Sequence, residues 1–77
     1  MRKPALSVAL GRAIRSAREK AGISQEALAA EAELHRTYLG MVERSERNVT
    51  VLSLDRIAKA LGVKASTLLA QAESTRR

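Results

Sequence analysis

Seventy-seven residues suffice for one small domain and exclude a two-domain enzyme built around a cleft. Apolar residues make up 45% of the chain, but alanine supplies 14 of those 35, so the larger Leu, Ile and Val side chains must fill the core and a partner subunit would add to a modest stability. Fourteen Lys and Arg against eight Asp and Glu leave a net charge of +6, which draws the chain toward polyanions such as nucleic acid or anionic lipid, while the lack of cysteine excludes disulfides and thiolate metal sites.

In chain order, Met1 to Leu6 carries Arg2, Lys3 and Pro4 and reads as a mobile basic leader. Ser7 is the expected cap of a first helix, with Leu10, Ile14, Ala17 and Ala21 on one face, Arg12, Arg15 and Lys20 on the other, Arg18 at the boundary, and Gly22 as the terminator. Ser24 caps a short second helix that has Glu26 in its first turn, an inner face of Ala27, Leu28 and Ala32, and an end near Ala32. Glu33 and Leu34 form a turn. His35 takes the N-cap position of a third helix led by Arg36, Thr37 and Tyr38, and Leu34 and Leu39 have the spacing of a hydrophobic staple. Thr50 caps a fourth helix whose Leu54, Ile57, Ala58 and Leu61 follow helical spacing up to Gly62. A final short helix is expected over about Ala65 to Gln71, with Leu68 and Leu69 facing inward or toward a partner, and residues 73–77 are expected to fray. No stretch alternates as a strand would.

The reading is therefore all-α: one five-helix domain over residues 1–77, with a tight turn between the second and third helices that suggests a helix-turn-helix. The second helix of such a pair lays its first residues in the major groove, where each base pair presents its own donors, acceptors and methyl groups. Arg36, Thr37 and Tyr38 differ in chemistry as base readers must: two donated bonds to guanine O6 and N7, a base edge or thymine methyl, and a methyl or phosphate respectively. Tyr38 is equally readable as a half-buried surface aromatic. His35 is read as a cap, since a lone histidine makes a poor metal site.

The stretch GISQEALAAEAELHRTYLGMVERSERNVTVLSLDRIAKALGV, Gly22 to Val63, resembles the DNA-binding domain of the phage-repressor (Cro and C1 type) helix-turn-helix family, a lambda-repressor-like fold. Its carriers are Gly-x-Ser-Gln before the second helix, Leu28-Ala29, Glu43, Ile57-Ala58 and Leu61-Gly62. Within that family the chain is similar to the controller proteins of restriction-modification systems, through His35 to Tyr38, Glu43-Arg44 and Arg47-Asn48. The resemblance implies a homodimer on double-stranded DNA at a palindromic operator, with no cofactor. It places Arg36 and Thr37 on base-reading positions beside Tyr38, and Gln25 with Ser24, Arg44, Arg47, Asn48 and Ser53 near phosphates. Arg18 and Glu43 match a pair that ties the first helix to the end of the third. It also implies autoregulation, with activation through RNA polymerase at one site and repression when a second dimer fills an adjacent one.

Several positions depart from that family. Glu33 stands where the turn usually has glycine, so the turn must avoid positive φ or accept strain. Gly40 lies within the third helix, which lets that helix approach either the DNA backbone or helix two. Ser45 replaces the glycine usual after the third helix, whose end is expected to run on or be less sharp, and Lys64 leaves the fifth helix without a good cap. The dimer surface is expected at Leu52, Val63, Leu68 and Leu69, which exceed what one small core can hide.

Rival readings are narrower. Enzyme activity is not expected, because no phosphate loop, activated nucleophile or enclosing pocket can be assembled from these residues. Membrane attachment through the first helix lacks an aromatic anchor, and with no run of about 18 apolar residues and no secretory segment the chain is expected to be cytoplasmic. The alternative regulator is an antitoxin that binds its toxin and represses its own promoter.

Overall fold

The computed structural model describes residues 5–76. Five helices follow in order: α1 (Leu6–Ala21), α2 (Gln25–Ala32), α3 (Arg36–Glu43), α4 (Val51–Leu61) and α5 (Ala65–Thr75), with no strand among the described residues. The expected leader lies mostly outside the described residues, as does Arg77. No described helix is long and apolar enough to cross a membrane.

Four of the five helices end the same way. A left-handed residue closes each, directly after the helix at Gly22, Glu33 and Gly62 and one residue later, beyond the right-handed Arg44, at Ser45, and the amide that follows it reaches back five positions: Ile23 to the Arg18 carbonyl, Leu34 to Ala29, Glu46 to Met41 and Val63 to Ala58. Gly22 and Gly62 take that conformation without penalty, whereas Glu33 (φ 56°) and Ser45 (φ 64°) do so as L-residues. The turn before α3 thus accepts positive φ. The end of α3 runs on through Arg44, whose amide still bonds the Gly40 carbonyl, before Ser45 turns the chain, and the Ser45 hydroxyl donates to the Val8 carbonyl at 3.3 Å and anchors that turn to α1.

Two boundaries differ from expectation. α1 begins at Leu6, with Ala5 and not Ser7 at the N-cap position and no side-chain capping bond, because Leu6 packs on the core and lengthens the apolar stripe. α5 runs four residues past Gln71, since Ala72 is wholly buried and extends the face that packs along α1, so residues 73–75 are helical. Ser24 and Thr50 cap α2 and α4 by accepting from the Ala27 and Ser53 amides, while Lys64 contributes no capping bond to α5.

The core is built on Ile14, Leu28, Leu39, Ile57 and Leu68, one large side chain from each helix. Leu68 therefore does not belong to the expected dimer surface; it closes the core beneath α1. At Gly11, also buried, a Cβ would run into the Val42 carbonyl oxygen, so α1 and α3 meet there backbone to backbone. That approach fixes where α3 lies relative to the longest helix.

Candidate nucleic-acid interface

α3 is seated from below and open above. Leu39 and Val42 are buried, Leu34 packs beside them as the staple requires, and Arg36 and Thr37 stand exposed at the opposite edge. His35 occupies the N-cap without a side-chain bond, and the first intrahelical bond is Leu39 to the His35 carbonyl. The amides of Arg36, Thr37 and Tyr38 precede it and point outward at the positive end of the helix dipole, where anions are favoured.

Beneath that edge lies a polar network joining three helices. Arg18 donates from Nε to Glu43 Oε2 at 2.8 Å and from Nη2 to Oε1 at 3.0 Å, while its Nη1 binds the Ile23 carbonyl at 2.9 Å. Gln25 completes the set by donating to Glu43 Oε1 at 2.9 Å. The hydrogen bond to Glu43 pushes the Arg18 pKa above the ordinary arginine value, with burial opposing it and Coulomb attraction to Glu43 and Glu19 adding to the rise. The network pins the C-terminal end of α3 to α1 and to the start of α2. Its consequence is that the leading residues of α3 project from a fixed base.

The remaining candidates divide between free and engaged. Gln25 has its amide nitrogen committed to Glu43, and its oxygen lies near Gly40, where a Cβ would come within 3.6 Å of it and 3.1 Å of Arg44 Nη1. Gly40 thus makes room for the ends of the Gln25 and Arg44 side chains. Ser24 is exposed, and its hydroxyl accepts from the Ala27 amide as the cap while keeping its own O–H to donate. Arg44, Arg47 and Asn48 are exposed along the α3–α4 loop, with Arg44 paired to Glu46 at 3.1 Å; hydrogen bonding to Glu46 raises the Arg44 pKa. Ser53 is largely buried, forms the inner side of the α4 cap with Thr50 Oγ1, and lies at the floor of a groove that Tyr38 and Arg47 also line, less accessible than expected of a phosphate contact.

Tyr38 sits apart from the exposed pair. It is half-buried, its hydroxyl accepts from the Thr50 amide at 3.3 Å, and the Arg47 guanidinium lies 5.7 Å from its ring centroid. The partly exposed ring of Tyr38 leaves both readings, DNA contact and half-buried aromatic, in place, and Tyr38 ties α3 to the start of α4 and seats Arg47. Nothing in the spacing of the sequence signals this contact, which spans twelve residues across an irregular loop. A shallow polar groove is lined by Gln25, Arg36, Thr37, Gly40 and Arg44, and a second, more apolar one by residues that include Leu34, His35, Tyr38, Arg47 and Ser53.

Of the residues expected at a dimer surface, Leu52 and Val63 are exposed, as is Val51, and Leu69 is half-buried. Val51 was not among the expected interface residues, although its position at the first turn of α4 keeps it off the core.

A five-helix body that presents a rigid, cation-flanked helix after a tight turn defines a helix-turn-helix DNA-binding regulator. The chain belongs to the helix-turn-helix family whose sequence profile matches residues 14–68. It is 47% identical over 60 residues to the control protein C.BamHI of Bacillus amyloliquefaciens, covering 77% of this chain and 74% of that one. The clp gene regulator ClgR from C. glutamicum superimposes with a TM-score of 0.93 at 31% identity over 97% of both chains. The restriction-modification controller protein C.Esp1396I, solved as a tetramer in complex with its natural 35 base-pair operator, superimposes with a TM-score of 0.83 at 32% identity, covering 94% of this chain and 95% of that chain.

Proposed function

We propose that this protein is a homodimeric, sequence-specific transcription regulator of the controller type, a binding protein and not an enzyme, that acts in the cytoplasm on a palindromic operator. The observation that carries the reading is the exposure of Arg36 and Thr37 at the start of a helix pinned by the Arg18–Glu43–Gln25 network. Arg36 donates to guanine and Thr37 meets the neighbouring base, while Arg44, Arg47 and Asn48 hold phosphates on either side. Tyr38 positions the loop that carries Arg47. The dimer forms through Leu52 and Val63 with Val51, and with the exposed part of Leu69, since one recognition helix covers too few base pairs for useful specificity.

Likeness to C.BamHI and to C.Esp1396I supports the controller assignment, and the latter's operator complex supports assembly of more than one dimer on one promoter. In that scheme the first dimer activates by touching RNA polymerase and a second represses. Titration of variants on specific and scrambled duplexes at two salt concentrations tests the division of labour. Arg36→Ala loses about 1–3 kcal/mol on the preferred site and relaxes base choice, whereas Arg47→Ala weakens all duplexes alike and lowers the salt slope by about one. Identical behaviour of the two variants would remove the base-reading role.

A further inference from the structure

Beyond its favourable place at the start of α2, Glu26 has no part in the interface described above. It stands in the first turn of α2 with its side chain 75% exposed, and its Oε1 lies 3.7 Å from Nη1 of Arg36, whose own side chain is 63% exposed. The distance is that of an ion pair without a hydrogen bond, so the carboxylate orients the guanidinium without capturing it. For the fold this pair matters little, because exposed ion pairs contribute small net stability. For an approaching polyanion it matters more.

A carboxylate at the rim of a surface meant for DNA repels phosphate in every binding mode, including those that merely track the backbone. Only a mode in which Arg36 finds a base partner offsets that repulsion. With Nη1 turned toward Glu26, the edge formed by Nε and Nη2 remains free to donate two parallel bonds to guanine O6 and N7. We infer that Glu26 is a positioning residue for base specificity: it directs the free edge of Arg36 toward guanine and penalises binding that is independent of sequence. The inference rests on the reading of α3 as the base-reading helix.

The test is a double-mutant cycle on the full chain. Wild type, Glu26→Gln, Arg36→Ala and the double variant are titrated, at one fixed salt concentration, on a selected site and on a scrambled duplex of equal length, with thermal unfolding as the check on folding. Glu26→Gln should bind the scrambled duplex about three- to fivefold tighter and lose a similar factor from the ratio of selected to scrambled affinity. In the Arg36→Ala background the same substitution should change both duplexes by one common factor and leave the ratio untouched. A Glu26→Gln variant that shifts both duplexes equally while Arg36 is present, or shifts neither, overturns the inference and leaves Glu26 as a general surface charge. An Arg36→Ala variant with an unchanged ratio overturns the underlying reading of α3 instead.

Discussion

Glu43 is sealed from water at 1% side-chain exposure, and its two oxygens receive three hydrogen bonds from Arg18 and Gln25. Such an arrangement adds little net stability against an apolar equivalent, yet removing one partner leaves the other charge without compensation. Glu43→Ala should therefore destabilise the chain by about 3–5 kcal/mol, a large share of the total for so small a domain, read as a lower urea midpoint. A shift below about 1 kcal/mol would place the pair among ordinary surface contacts. The raised pKa of Arg18 adds stability that is fully present below the ordinary arginine value and lost only as pH climbs through the raised one. The midpoint should accordingly show no pH dependence from this arginine across the neutral range. The Arg18–Glu43 pair was legible through family likeness. The share taken by Gln25 was not, because a third partner in a buried network depends on side-chain directions that spacing does not reveal.

At the scale of elements, the helix ends carry most of the design. Glycine at positions 22 and 62 announced two of the four left-handed terminators, and the caps at Ser24 and Thr50 announced two starts. The misjudged boundaries share one cause. Leu6 and Ala72 extend their helices because each packs against the core, and local signals weigh less than that burial. Gly11 was silent for the same reason, since only the tertiary approach of α3 shows why no side chain fits there. Glu33 offers a direct test, being exposed and left-handed. Glu33→Gly removes the steric cost of positive φ at the expense of some unfolded-chain entropy, and a net gain of about 0.5–1 kcal/mol is expected in chemical denaturation. A loss of stability would mean that the glutamate side chain itself supports the turn.

For the whole molecule, the net charge of +6 and the row of exposed residues along α3 and its following loop make one side of the body suited to a duplex. Leu52 and Val63 stay exposed and carry the proposed dimer contact, and the removal of Leu68 from that group follows from the need of a small core for every large side chain it has. Fold class, element order and the placement of α3 after a tight turn could be read from the sequence, since they follow from apolar spacing and helix caps. The commitments of Tyr38 and Ser53 could not, for both depend on how α4 starts beside α3. Two recognition helices related by a two-fold axis should demand two matching half-sites. Selection of bound duplexes from a random pool is the most direct measurement: the account predicts enrichment of a palindrome whose half-sites lie about 34–36 Å apart, one helical turn. Recovery of a pool indistinguishable from the input, or of a single unpaired half-site, would contradict it.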